Sequence, residues 1–283
     1  MHTHSSSKNK LKSNLIIVGL LAFTSLLGWL YYQFTGNIFG VYYSVLFGAV
    51  YALISYFTAS KVALKLNRAK EISKKDYPKI FKMVEGLTKK AGLPMPKLYI
   101  VNDSAANAFA TGRSPEKAHV AVTTGILEVL SDEELEAVLA HEISHVKNYD
   151  IRLMMIVFAC ITSLNLILDF FLRSVLFGDD NRGGFLSYIV ISILSSFVGI
   201  LIQAAISRQR EYAADLSGAE ITNQPKQLAN ALRKISTKGS KLKVQSSATA
   251  HLFLANPLKA SSLSKLFSTH PPIEERIKVL ESL

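Results

Sequence analysis

The chain contains a single cysteine, Cys160, among its 283 residues. One cysteine can form neither a disulfide within the chain nor a cluster of thiolate ligands, which excludes a disulfide-stabilised fold and a cysteine-based zinc site. Acidic residues are also few, 21 against 32 basic ones, so the formal net charge is +11. No nucleic-acid-binding motif is recognisable, and the lysines flank apolar stretches. We therefore predict contact with anionic lipid headgroups and none with nucleic acid.

Charged residues are missing from two long stretches near the N-terminus, Leu15–Tyr32 and Ile38–Phe57. Each is long enough to span about 30 Å of hydrocarbon as a helix. Only five residues separate them, so residues 1–68 are predicted to form a transmembrane hairpin. A cleaved signal peptide is a poorer explanation, because no A-x-A site follows and the second stretch comes at once. His2 and His4, in the polar N-terminal tail, are expected to be disordered and not to bind a metal.

A second pair of apolar stretches lies within residues 151–207. Residues 183–207 carry no charge, whereas residues 151–172 contain Arg152 and Asp169 near their ends. We expect a second hydrophobic hairpin here. The alternative is a buried or interfacial helical pair that does not cross the membrane.

The lysines indicate the orientation of the first hairpin. Three precede the first apolar stretch, at positions 8, 10 and 12, and Lys61, Lys65, Arg68 and Lys70 follow the second one. By the positive-inside rule, both ends of the hairpin face the cytoplasm. The sequence thus predicts a multi-pass protein of the cell membrane whose polar domain is cytoplasmic.

The remaining polar parts, residues 69–150 and 208–283, are enough for one modest folded domain. Apolar residues from Ile72 to Leu87 predict an amphipathic helix that ends near Gly92. Residues 97–101 and 119–123 read as short strands, and residues 107–110 are expected to pair beside them. Residues 239–247 are polar and are predicted to form a loop. The fold class expected is mainly α, of the α+β type, with a small β-sheet.

The most specific motif is H-E-x-x-H, at His141–His145. Residues four apart lie on one face of a helix, so both imidazoles can reach one metal ion. Glu142 is rotated by about 100° from His141 and can flank the ion instead of binding it. This arrangement is typical of zinc peptidases. Ser131 and Glu134 form a capping-box pattern that begins the helix. The alternative is that the two histidines are ordinary surface or core residues.

A catalytic zinc site needs a third protein ligand. Glu211 is the candidate, in a segment of helical composition, with Asp215 one turn further along the same face. Asp215 could accept a hydrogen bond from the outer nitrogen of a ligand histidine and so fix its tautomer. The alternative is a solvated helix face on which glutamate and arginine pair.

The order of these motifs resembles the HtpX-type membrane metallopeptidases, relatives of the CAAX prenyl endopeptidase. H-E-I-S-H is followed by a hydrophobic insertion and then by R-x-x-E-x-x-A-D at residues 208–215. Residues 107–112, 251–257 and 269–277 also match that family's pattern. The resemblance implies a zincin-like catalytic domain and one Zn²⁺ per chain, and it places His270 near the metal as a stabiliser of the transition state. For His270, a structural role in a turn before proline is the alternative. The zinc ligands that it implies are His141, His145 and Glu211.

The expected reaction is hydrolysis of a peptide bond. Zinc lowers the pKa of bound water, and Glu142 takes the proton and later passes it to the leaving amine. Asn107, Ala108 and Phe109 are candidates for an edge strand to which an extended substrate adds by backbone pairing; a purely structural strand is the alternative. The resemblance implies unfolded or damaged membrane proteins as substrates and a role in stress response and protein quality control. A catalytically silent scaffold and a hydrolase of non-peptide substrates are the competing function classes.

Overall fold

The structure is a computed structural model that describes residues 2–35, 38–177, 208–238 and 271–283. Most of the predicted second hairpin, the predicted loop at 239–247, the stretch 251–257 and His270 lie outside these residues. The predictions made for them therefore stay predictions.

The chain begins with two long antiparallel helices, α1 (His2–Thr35) and α2 (Phe39–Leu66). They contain segments long and apolar enough to cross a membrane, Leu11–Trp29 and Gly48–Leu66. The helices approach closely where Gly48 faces Thr24, since a Cβ at position 48 would lie 2.8 Å from the threonine methyl group. The expectation of a disordered tail was wrong, because α1 is helical from His2 onward.

A third long helix, α6 (Asp150–Phe177), packs against both α1 and α2. Its first half is buried, with Leu153, Val157 and Leu164 almost completely shielded from solvent. Residues 151–172 were predicted to be a hydrophobic helix. The observed helix begins one residue earlier, at Asp150, and ends five residues later, at Phe177.

A four-stranded sheet separates these helices from the rest of the protein. Its strands are β1 (Lys70–Glu71), β2 (Lys97–Val101), β3 (Ala108–Gly112) and β4 (Ala118–Thr123), in the spatial order β1-β2-β4-β3. β2 and β4 are parallel, and the other neighbours are antiparallel. The three predicted strands are confirmed. β1 was not predicted, because a two-residue strand shows no alternation. β3 lies at an edge of the sheet.

Alternation along the strands directs side chains into two cores. Val120 and Val122 face helices α3 (Pro78–Ala91) and α5 (Asp132–Lys147), in the larger core. Ala121 and Phe109 face the opposite way and pack with Ala63 of α2 and other residues of the long helices. The sheet therefore joins the part of the chain that contains the H-E-x-x-H helix to the long apolar helices.

Local sequence signals set the ends of the helices. Ser131 and Glu134 make both hydrogen bonds of the predicted capping box at the start of α5. The helix predicted from Ile72 begins six residues later, at Pro78, because proline at the first helical position favours helix initiation there. Gly92, with φ of 68°, ends it as expected. Between β3 and α5 lie a 3₁₀ turn (Pro115–Lys117) and the short helix α4 (Thr124–Val129).

Three helices complete the described fold: α7 (Arg208–Thr222), α8 (Pro225–Lys238) and α9 (Ile273–Glu281). α7 lies against α5 at Gly218, where a Cβ would approach the backbone nitrogen of His141 to 3.0 Å and its Cα to 3.1 Å. This contact requires a residue without a side chain. It fixes the distance between the two helices two turns after Glu211.

We expect Gly218→Val to lower the free energy of unfolding by about 1–3 kcal/mol, because the added side chain forces α7 away from α5. Gly86→Val is the matched control. Gly86 is exposed in α3 with no atom within 4 Å of a Cβ there, so its replacement should change stability by less than about 0.5 kcal/mol. Thermal unfolding of the detergent-solubilised protein measures both. Equal midpoints for the two variants would show that the helix contact tolerates a side chain.

Candidate metal centre

The first turn of α7 brings Glu211 beside the two histidines of α5. The Nε2 atoms of His141 and His145 lie 3.1 Å apart. The Glu211 carboxylate lies 3.8 Å from the first and 3.7 Å from the second. One ligand atom from each of the three residues falls within 4.8 Å of the others. The three residues predicted as metal ligands are thus brought together.

This geometry fits a tetrahedral zinc ion. Bonds of about 2.0–2.1 Å at tetrahedral angles place ligand atoms about 3.4 Å apart, near the distances found here. Each Nδ1 faces a carboxylate, so Nε2 is the atom of each ring that can bind a metal ion. Once His145 has given up its second proton, both Nε2 atoms offer lone pairs toward the same point, 3.1 Å apart. The donor set therefore suits a divalent metal ion.

A buried carboxylate orients each imidazole. Asp215 Oδ1 lies 2.9 Å from Nδ1 of His141, the type of contact predicted from its position in α7. Asp150 Oδ2 lies 2.8 Å from Nδ1 of His145. Such contacts fix the tautomer and ring orientation of metal-binding histidines.

Sequence reasoning missed Asp150. It lies five residues after His145, outside the i, i+4 pattern, and reaches the imidazole because the chain turns sharply between α5 and α6. Tyr149 has a φ of 60°, in the left-handed region that residues other than glycine seldom adopt. A tyrosine between two helices gives no sequence signal for such a turn.

The C-terminal helix contributes Arg276, which is completely buried. Its Nε and Nη2 atoms donate to the two carboxylate oxygens of Asp215 at 2.8 and 2.7 Å, and Nη1 lies 3.6 Å from Glu211 Oε2. Burial on its own would raise the pKa of Asp215, but the guanidinium outweighs it and holds that pKa below its usual value. Arg276 was not singled out from the sequence, since one arginine on a short amphipathic helix reads as surface.

Glu142 is buried between the histidines and the sheet. Burial is the main cause that raises the pKa of Glu142 to about 7. The positive charge of His145 and a hydrogen bond from the Ala110 backbone N–H act in the opposite direction and lower it. A carboxyl group with this pKa can both accept and return a proton near neutral pH. The position and the raised pKa of Glu142 would suit acid–base chemistry.

The two histidines differ in basicity. Burial is the main cause that lowers the pKa of His141, opposed by Asp215. Burial also acts to lower the pKa of His145, but the hydrogen bond to Asp150 and the charge of Glu211 outweigh it and raise that pKa to about 9. Since a metal ligand must be the unprotonated nitrogen, binding of a cation displaces the proton of His145.

Strand β3 lies beside Glu142. The Thr123 N–H donates to the carbonyl of Asn107, which sets the hydrogen-bond pattern between β3 and β4. In this pattern Phe109 and Thr111 bond to β4, whereas the backbone groups of Ala108 and Ala110 point to the outer edge of the sheet. The side chain of Asn107 is buried and accepts from the Ala108 N–H. Phe109, a candidate substrate contact, is buried on the face that meets the long helices.

The fold and the site define a class of protein, a metallopeptidase built onto long apolar helices. The model of Peptidase family M48 matches residues 74–283, which is most of the chain. The chain therefore belongs to peptidase family M48 and is a metalloprotease.

Curated relatives agree with this assignment. A Protease HtpX homolog from Tropheryma whipplei (strain Twist) is 43% identical over 282 residues, covering 98% of this chain and 97% of the relative. Another from Desulfatibacillum aliphaticivorans is 40% identical over 276 residues, covering 95% and 88%. The predicted resemblance to HtpX-type proteases is thus confirmed. The crystal structure of S. mikatae Ste24p shares the fold, with a TM-score of 0.53 and 18% identity over 98% of this chain and 67% of that one.

Arg276→Lys should disturb the site although the positive charge is kept. A lysine cannot donate two parallel hydrogen bonds, so Asp215 loses its orientation. We expect zinc affinity to fall about tenfold or more, and the free energy of unfolding to fall by up to about 3 kcal/mol, as for a disrupted buried pair. Chelator competition and thermal unfolding measure these effects. Lys278→Ala, on the exposed side of the same helix, is the control. Unchanged zinc affinity in Arg276→Lys would show that the ion pair does not orient the ligands.

Proposed function

We propose that this protein is a membrane-bound zinc endopeptidase that cleaves misfolded or damaged membrane proteins at the cytoplasmic face. The observation that carries the proposal is the convergence of His141, His145 and Glu211 on one point, with Glu142 beside it. A helix pair that only packs has no reason to bury two imidazoles and two carboxylates together, because burying unpaired charge is costly.

His141, His145 and Glu211 would hold the zinc ion of this zincin-like site. When bound, zinc supplies a Lewis acid that acidifies water and polarises a carbonyl group. Glu142 acts as the general base that removes a proton from the attacking water, and it returns the proton to the leaving amine. Its pKa of about 7 suits both steps. Asp215 keeps the Nε2 atom of His141 directed at the metal position.

The edge of β3 is the proposed substrate site. Ala108 and Ala110 direct their carbonyl groups there, whereas their N–H groups already donate to Asn107 Oδ1 and to Glu142. An extended peptide that pairs with this edge brings its scissile bond beside the general base. Asn107 and Phe109 support the strand from its two sides. Pairing through the backbone selects little by sequence, which suits a quality-control protease. His270 is proposed to stabilise the negative charge that develops on the carbonyl oxygen.

The membrane topology proposed is two hairpins, with the catalytic parts on one side. The start of α1 contacts Asp150 and the end of α2 contacts the sheet, so both ends of the first hairpin lie at the catalytic part. The lysines around this hairpin favour the cytoplasmic side and contact with anionic headgroups. Residues 151–207 would form the second hairpin, which returns the chain to Glu211 on the same side.

Glu142→Gln tests the enzymatic function. The amide keeps the size of the side chain but cannot accept a proton, so we expect cleavage of unfolded casein to fall by at least about 100-fold. Zinc content should stay at about one ion per chain, since Glu142 is not a proposed ligand. Cleavage is followed by gel electrophoresis, and zinc by atomic absorption.

Glu128→Gln is the matched control, because Glu128 is exposed on α4, away from the metal centre. It should cleave casein as the wild type does. Full cleavage by Glu142→Gln would contradict the mechanism. A wild-type protein that binds zinc but cleaves no polypeptide would favour the scaffold or the non-peptide hydrolase.

The topology is tested by cysteine labelling in a Cys160→Ala background. Asp180→Cys, in the loop of the proposed second hairpin, should react with a membrane-impermeant maleimide in intact cells. Glu128→Cys should react only after the cells are permeabilised, since it lies in the catalytic part. Protection of position 180 would favour the non-crossing helical pair, and labelling of position 128 in intact cells would place the site outside.

A further inference from the structure

The N-terminal part of α1 contains a buried polar residue, Asn9, which is only 4% exposed. Its Nδ2 atom donates to Asp150 Oδ1 at 2.6 Å and to the carbonyl oxygen of Asn148 at 3.0 Å. Both acceptors belong to the turn between α5 and α6, more than 130 residues away in the chain. Burial of an amide at a helix–helix contact is costly unless such bonds form. These contacts therefore seat α1 on that turn.

The same turn holds one histidine of the metal centre. Asp150 uses Oδ1 for Asn9 and Oδ2, at 2.8 Å, for Nδ1 of His145. Arg210, the nearby cation, has its Nε atom 3.9 Å from Asp150 Oδ1, beyond hydrogen-bond distance. Among the residues that the structure describes, Asn9 therefore donates the hydrogen bond to the oxygen of Asp150 that does not face the histidine. α1 is thus connected to the metal position through the Asn9–Asp150 hydrogen bond, the Asp150–His145 contact and the imidazole ring of His145.

The turn needs such support because of its backbone. Tyr149 has a φ of 60° and carries a side chain, a conformation that costs about 1 kcal/mol or more. Asn9 bonds residues on both sides of Tyr149, at Asn148 and Asp150, and so holds the strained turn in place.

We propose that Asn9 is a positioning residue of the metal centre, which orients His145 through Asp150 and makes the first membrane helix a part of the active site. The inference rests on the proposed zinc peptidase function. Asn9 lies two residues before the apolar segment Leu11–Trp29, so the seating of this helix at the bilayer surface is transmitted to the metal ligand.

Asn9→Ala in the full-length, detergent-solubilised protein tests this inference. Zinc affinity, measured by chelator competition, should fall about threefold to tenfold, less than for direct partners of metal-binding histidines. The visible spectrum of the cobalt-substituted protein should shift, because it reports the ligand geometry. Asn9→Asp, which is nearly isosteric, should weaken zinc binding at least as much, since it places a second carboxylate against Asp150. Asn14→Ala, an exposed asparagine of the same helix, should match the wild type in each measurement.

A double-mutant cycle with Asp150→Asn separates positioning from general stability. If Asn9 acts through Asp150, Asn9→Ala should cause no further loss of zinc affinity in the Asp150→Asn background. The inference is overturned if the two losses multiply, or if Asn9→Ala lowers only the unfolding temperature and leaves zinc affinity and the cobalt spectrum unchanged. Absence of zinc binding by the wild type would instead refute the proposed function itself, and Asn14→Ala shows whether any change in α1 has the same effect.

Discussion

A buried carboxylate bound to each imidazole is the constraint on which the metal centre depends. His141 can present Nε2 to a shared point only because Asp215 lies at its Nδ1. A carboxylate without access to water is tolerable only with strong donors, and Arg276 supplies two parallel hydrogen bonds. Arg276 of α9 therefore keeps the Asp215 carboxylate of α7 ionised where α7 packs against α5. The absence of a side chain at Gly218 then lets the two helices approach closely enough for Glu211 to complete the set.

His145 is held in the same way from the other end of the chain. Asp150 takes the place of Asp215, and Asn9 of α1 takes the place of the arginine. The two supports differ in charge. A guanidinium donates two hydrogen bonds to the first carboxylate, whereas the second accepts from a neutral amide and has the Arg210 guanidinium at 3.9 Å. The pKa of His145 is raised to about 9 by the hydrogen bond to Asp150 and the charge of Glu211, whereas burial lowers the pKa of His141. The helices at both ends of the chain are thus structural parts of the site.

The residues that the sequence predicted are those that repeat with helical or strand spacing. His141, His145 and the pair Glu211 and Asp215 lie at i, i+4 intervals, and β2 and β4 show clear apolar runs. Asp150, Asn9 and Arg276 could not be found in this way, since each is a single polar residue whose importance comes from burial by elements far away in the chain. The polar N-terminal tail was misjudged for the same reason: its composition is that of a disordered segment, whereas it continues α1, in which Asn9 bonds the turn between α5 and α6.

The sheet connects the metal centre with the long apolar helices. Because its strands alternate, Ala110 meets α5 and Glu142 on one face, while Phe109 meets α2 and α6 on the other. The edge of β3 is consequently held between the metal centre and the long apolar helices, and it cannot move relative to either without loss of packing. If a polypeptide adds to this edge as proposed, its backbone lies beside Glu142 and near the long apolar helices. The packing that keeps the two histidines in place thereby also fixes the distance between the metal centre and these helices.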